Sequence, residues 1–129
     1  MRIYAENTMA LVIDFQEKLM PVIYNNEELL HNTEILVKGL KTLNIPMIVT
    51  QQYTKGLGMT VSQISDAFGE AFGFEDKVAF SCMDDETIAG KIEALGKKNV
   101  IICGVEAHIC VLQTAIDLIT KGYNVILVE

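Results

Sequence analysis

Apolar and polar positions follow two rhythms along the chain. Met9 to Phe15, MALVIDF, is a continuous apolar run with one acid just before its end. That is the pattern of a strand buried on both faces of a parallel sheet. From Asn25 to Leu43 the apolar positions Leu29, Leu30, Ile35, Leu36, Leu40 and Leu43 recur at helical spacing, and Asn25 with Glu28 fits a capping box. Pro46 requires that helix to have ended, and PMIVTQQ reads as a second strand. Tyr53 to Thr60, YTKGLGMT, reads as a loop, Ser62 to Phe68 as a short helix, and Phe74 to Phe80 as a short extended stretch. Asp84 to Leu95 predicts an amphipathic helix with Ile88, Ile92 and Leu95 on one face and Asp84 as its N-cap. A strand over Asn99 to Cys103, a helix over His108 to Lys121 closed by Gly122 as a left-handed cap, and a strand over Tyr123 to Val128 complete the pattern.

Strands alternating with helices predict an α/β fold: right-handed crossovers and three α-β-α layers around a mostly parallel central sheet. No repeat, low-complexity tract or linker interrupts residues 1–129, so a single domain is expected. The final strand reads as central, and such a strand is normally covered by a further helix. The sequence therefore reads as lacking the C-terminal part of a longer domain.

Composition narrows the functional classes. Half of the residues are hydrophobic, enough for a real core. Ten basic against 17 acidic side chains give a net charge of −7, with no basic run, which argues against nucleic acid or an anionic membrane as partner. No window approaches the ~18 uncharged apolar residues of a membrane span, and no apolar h-region follows a basic start. Cys82, Cys103 and Cys110 show no paired spacing and read as free thiols, which points to a reducing cytoplasm.

In open α/β sheets ligands bind beyond the carboxyl ends of the strands. Asp14 falls at the end of the first strand, Gln51 and Gln52 at the end of the second, Lys77 in the extended segment, and Gly104 to Cys110 after the strand at Asn99. In IICGVEAHICVL the glycine breaks an apolar strand, and Cys110 follows where a helix begins. The first turn of a helix offers free N–H groups and the positive end of its dipole, which can lower a thiol pKa from ~8.5 into the range ~3.5–7.5. The same N–H groups can receive an oxyanion, a carboxylate can take the thiol proton, and a lysine can keep that carboxylate ionised.

The residues alone leave alternatives open. Cys110 also fits a small buried hydrophobe, as do Cys103 inside its strand and Cys82 before a helix. Asp14 needs a partner wherever it is buried, for chemistry or as a cap. Lys77 by itself reads as a surface lysine, His108 as a polar group at a helix start, and His31 has no partner in sequence. Asp84, Asp85 and Glu86 favour a helix N-terminus. KGLG is too loose for a phosphate loop, and no glycine-rich dinucleotide motif is present.

Taken together and in this order, LVIDFQ, FEDKVAFS and GVEAHICV resemble the isochorismatase-like cysteine hydrolases, a family that includes nicotinamidases and N-carbamoylsarcosine amidohydrolase. The likeness runs from about Met9 to Glu129. It implies the family's Rossmann-like hydrolase fold and a catalytic triad of Asp14, Lys77 and Cys110. Asp14 would take the thiol proton, Lys77 would position Asp14 and balance charge, and Cys110 would attack an amide-like carbonyl to form a thioester that water releases. It also implies a non-proline cis peptide at Val105–Glu106, which would aim the N–H groups of Glu106 and Cys110 at the oxyanion.

Departures from the family pattern shape the expectation. Metal-binding nicotinamidases carry a D-x-H pair where this chain has Gln52 and Thr54, and no histidine lies between His31 and His108. The expectation is therefore no metal and no other cofactor, with nicotinamide disfavoured. Members that cleave the vinyl ether of isochorismate lack the nucleophilic cysteine, so Cys110 argues against that reaction. Ala107 stands where a threonine is common, and the QQYTKGLG loop looks like that of a less characterised branch.

The expected protein is a cytoplasmic, metal-free hydrolase of a small amide or related C–N bond. Phe15, Gln16, Gln51 and Tyr53 are expected to line the substrate pocket because they flank the strand ends. The alternative is a thiol-bearing regulatory or binding module of the same fold, since an exposed low-pKa cysteine also suits peroxide sensing. A nucleotide binder is a third reading, opposed by the missing glycine-rich loop. The last helix, HICVLQTAIDLITKG, is apolar around most of its circumference and, with the family's habit of assembling, predicts a homo-oligomer.

Overall fold

Thr8–Ile13 forms β1, and all six of its residues are buried. A strand covered by helices on both faces has no solvent side, which is why its sequence is apolar throughout. In the computed structural model, which describes residues 1–129, the chain continues through α1 (Asn26–Thr42), β2 (Met47–Gln52), α2 (Thr54–Leu57) and α3 (Ser62–Phe68). Then follow β3 (Glu75–Lys77), α4 (Glu86–Leu95), β4 (Asn99–Gly104), α5 (Leu112–Thr120) and β5 (Asn124–Leu127). The strands form one five-stranded sheet in the order β3-β2-β1-β4-β5, and every pair is parallel.

Side chains alternate across β1 and divide the core in two. Met9, Leu11 and Ile13 pack with Ile88 and Ile92 of α4 and Ala115 and Leu118 of α5. Val12, with Phe15 just beyond the strand, packs with Val37 of α1 and Ile64 and Phe68 of α3. These are the three layers expected from the alternating pattern, and the fold is α/β with an all-parallel sheet. The strand order changes sense at central β1, with β2 and β3 on one side and β4 and β5 on the other, and the carboxyl ends of β1, β2 and β4 lie side by side there.

Several local expectations are corrected. The Tyr53–Thr60 loop contains the single turn α2. Asn25 does not cap α1 through a backbone N–H; it sits at φ 52° and its Nδ2 donates to Glu28 Oε2 at 2.5 Å. Asp85, not Asp84, caps α4 by accepting the Ile88 N–H at 3.0 Å. Ser81 Oγ accepts the Met83 N–H at 3.2 Å and winds Cys82–Asp84 into a 3-10 turn, so Asp84 is used up one turn early. Only Glu75–Lys77 of the 74–80 stretch pairs with β2. The last helix opens with a π turn over Ala107–Val111 before α5. Gly122 closes it in the left-handed region, at φ 91°, as expected. Within residues 1–129 β5 pairs with β4 alone.

Candidate active site

The end of β1 turns sharply at Asp14, whose φ is 59°. Aspartate tolerates this left-handed conformation better than most residues. The carboxylate is fully buried, and both oxygens are engaged: Oδ1 accepts from Thr50 Oγ1 at 2.8 Å, and Oδ2 faces Lys77 Nζ at 3.2 Å. Lys77 is not a surface lysine; it is 1% exposed at the end of β3. The segment after it folds back so that the carbonyls of Ala79 and Phe80 accept from Nζ at 3.2 and 3.0 Å. Gln52 Oε1 accepts at 2.6 Å, and Cys110 Sγ lies 3.5 Å from Nζ. An ammonium removed from water needs such a set of acceptors. Three side chains from three crossovers thus converge on one point at the carboxyl edge of the sheet.

Cys110 sits within the π turn after β4. The strand hands over to this turn through Gly104 and the Val105–Glu106 peptide, which is cis. The Val105 N–H donates to Ile13 O at 3.0 Å, tying the turn to the residue before Asp14. Burial pushes the Cys110 thiol up to about 12, and the Asp14 carboxylate beside it adds to the rise against the opposing pull of Lys77. The lowering expected at a helix start is absent, because Cys110 lies inside a buried turn next to an anion. The resting thiol therefore carries its proton. Cys82 and Cys103 are raised to about 11 and about 12 by burial as well.

The four residues expected to line the pocket divide. Tyr53 is 53% exposed beside the site, its N–H bonded to Lys77 O at 2.8 Å. Phe15, Gln16 and Gln51 are interior residues, each at most 1% exposed, as are Asp14 and Lys77. Phe15 belongs to the α1–α3 side of the core. Gln51 Oε1 accepts from Thr60 N and Oγ1 at 2.9 and 2.8 Å, and its Nε2 donates to Thr54 Oγ1 at 2.9 Å. Gln16 bonds only backbone, so both carboxamides brace the loops at the sheet edge.

The side chains at the positions of the metal-binding pair are occupied with protein partners: Gln52 with Lys77, and Thr54 with Asp76 at 2.5 Å. No group of three or more His, Cys, Asp or Glu side chains is gathered for a metal, and His31 and His108 are both exposed. The sequence reading missed Thr50 and the Gln52–Lys77 bond. The signal was present in VTQQ: residues 50 and 52 project to the same side of a strand end.

Fold and site together define a three-layer α/β protein with a thiol, a carboxylate and an ammonium buried at one sheet edge. The chain belongs to the isochorismatase family: the isochorismatase domain matches residues 8–129. A relative, the secreted isochorismatase effector Isc1 of Phytophthora sojae, is 36% identical over 127 residues, covering 96% of this chain and 60% of its own length. Among solved structures, the MAR1 ribonuclease of Caenorhabditis elegans superposes with a TM-score of 0.90 at 38% identity, covering 99% of this chain and 65% of that one. The YcaC product of Escherichia coli, described as an octameric hydrolase of unknown specificity, matches with a TM-score of 0.90 at 25% identity, covering 98% and 64%. The chain thus spans about three-fifths of the length of these relatives. No helix is long and apolar enough to cross a membrane.

Proposed function

We propose that this chain is a cysteine hydrolase cleaving a small amide or related C–N bond, with Asp14, Lys77 and Cys110 as its catalytic residues. The observation that carries the reading is the Lys77 ammonium held between a buried carboxylate and a buried thiol, at 3.2 and 3.5 Å. Because the thiol rests protonated, Asp14 takes its proton as sulfur attacks the carbonyl carbon. The oxyanion that forms faces the N–H groups of Glu106 and Cys110, beyond the cis Val105–Glu106 peptide. Collapse breaks the C–N bond, and the leaving amine collects the proton from Asp14. Water then gives a proton to the same carboxylate and attacks the thioester, releasing the acid and restoring the thiol. Lys77 balances the Asp14 charge throughout, and no metal or cofactor enters a step. Tyr53, exposed beside the site, supplies a wall for the substrate.

The same reading makes the protein a homo-oligomer acting on a small molecule in the cytoplasm. Leu112, Ile116 and Ile119 support assembly, forming a half-exposed apolar stripe along α5. The alternative, a redox-responsive binding module, is weakened by the same high thiol pKa, since peroxide-sensing cysteines are exposed thiolates. A nuclease reading draws on the ribonuclease relative, and the net charge of −7 opposes it. The test is hydrolysis of a broad amide panel and of RNA by wild type and Cys110→Ala. Amide turnover that vanishes with the thiol is expected. Equal, slow rates for both proteins on every amide, or RNA cleavage that survives Cys110→Ala, would overturn the proposal.

A further inference from the structure

Gln52 takes no part in the chemistry described so far, yet its Oε1 makes the shortest contact to the Lys77 ammonium, 2.6 Å. Asp14 Oδ2, the charged partner, lies at 3.2 Å. Bonds between an ammonium and a carboxylate commonly measure ~2.7–2.9 Å, so here the neutral acceptor holds the nearer place. The orientation of the carboxamide is fixed chemically: the ammonium only donates, and Gln52 Nε2 donates in turn to Val78 O at 2.9 Å. The Gln52 backbone is clamped as well. Its N–H donates to Gln16 Oε1 at 2.7 Å and its carbonyl accepts from Gln16 Nε2 at 2.9 Å, while Gln16 is itself fully buried and tied to Gly58 O at 2.9 Å. Thr50, two residues earlier on β2, holds the other oxygen of Asp14 at 2.8 Å. One strand end therefore sets both members of the ion pair.

We infer that Gln52 is a positioning residue that draws the Lys77 ammonium off Asp14, so that the carboxylate is left available to the Cys110 proton. The inference rests on the role proposed for Asp14. A carboxamide suits this task because it attracts the ammonium without adding a second anion, which would raise the thiol further.

The test is the rate of iodoacetamide labelling of Cys110 at pH 8.5, resolved from Cys82 and Cys103 by mass spectrometry. The proteins are wild type, Gln52→Met, Gln52→Glu and Asp14→Asn, each checked for folding by circular dichroism. In Gln52→Met the ammonium moves onto Asp14 and Cys110, so labelling accelerates about threefold or more; in Gln52→Glu an added anion slows it by about the same factor. A residue that merely supported the structure would move both variants in one direction by loosening the site. Unchanged rates, or shifts of the same sign, overturn the inference. Should Gln52→Met fail to fold, the isosteric Gln52→Glu decides alone, and labelling as fast as wild type overturns it. Asp14→Asn removes the anion that raises the thiol and is expected to label faster. If it does so while the Gln52 variants do not split, only the positioning role fails. If Asp14→Asn labels like wild type, the coupling of Asp14 to Cys110 fails with it.

Discussion

Gly104 closes β4 directly opposite Ile13 of β1, and replacing it with alanine is a sharp test of how the site is held. A Cβ at that position would lie 2.5 Å from Ile13 Cβ, 2.6 Å from Ile13 O and 3.0 Å from Ile13 Cα. Two of these atoms are backbone, so no rotamer change relieves the clash. Carbon atoms in contact sit ~3.5–4.0 Å apart, so the strands must part locally by about 1 Å. Gly104 is not among the glycines with positive φ, so the alanine backbone itself is unstrained. Elsewhere such a change stabilises by ~0.4–1 kcal/mol through the unfolded state. Overpacking a tight interior costs ~1–3 kcal/mol, and forced backbone displacement places this site at the upper end, for a net loss of ~2 kcal/mol once the unfolded-state gain is subtracted. In a urea titration followed by far-UV circular dichroism the midpoint of Gly104→Ala should fall with the slope unchanged. Gly39→Ala is the control: it lies exposed inside α1 with nothing within 4 Å of the new Cβ, and should gain ~0.5–1 kcal/mol. A Gly104→Ala protein as stable as wild type would refute the reasoning.

Two further perturbations address the buried charges. Lys77→Met strands the Asp14 carboxylate without its cation and should cost ~3–5 kcal/mol in the same titration, part of which Lys77→Met/Asp14→Asn recovers. A loss below about 1 kcal/mol would mean that the pair is not desolvated as described. The three thiols make stability depend on alkaline pH: each ordinarily titrates near 9.0 and is raised in the folded state, to about 11 for Cys82 and about 12 for Cys103 and Cys110. Above pH 9 the unfolded chain binds fewer protons than the folded one, so the thiol contribution is fully present below that pH and is lost progressively as pH climbs towards 11 and 12. Urea midpoints should fall from pH 9 to 10.5, less steeply in Cys103→Ala than in wild type; a rise over that interval would contradict the assignment.

Much of the architecture was legible in the pattern of residues. β1 and β4 are largely apolar runs because helices cover both their faces, β2 begins as one over Met47–Val49, and α3 falls over Ser62–Phe68 as read. Less legible were details settled by one side chain competing with another. Ser81 starts a turn that removes Asp84 from the cap and leaves it to Asp85. Whether β5 is central or at the edge depends on strand neighbours, which apolar content does not encode. At the site, the motifs named Asp14, Lys77 and Cys110, which the fold brings together, but not the hydrogen bonds that Gln16 and Gln51 make to the neighbouring loops. A glutamine beside a strand end looks the same in sequence whether its amide meets a ligand or a loop carbonyl. The raised Cys110 thiol was hidden for a related reason: proximity to a helix start is visible in the sequence, but burial against Asp14 is a long-range fact.

Asp14 and Lys77 are 63 residues apart, Lys77 and Cys110 a further 33, and the hydrogen bond between Asn99 and Thr8 at the foot of β4 spans 91. Loops of that size bear their closure entropy before any contact at the far end repays it. Until β4 docks on β1, Cys110 is an ordinary solvated thiol with an ordinary appetite for alkylating reagents; once it docks, burial and the Asp14 charge suppress that reactivity. The sulfur therefore works as a built-in stopwatch. A brief pulse of reagent during refolding would record, molecule by molecule, the moment at which the middle of the sheet closes.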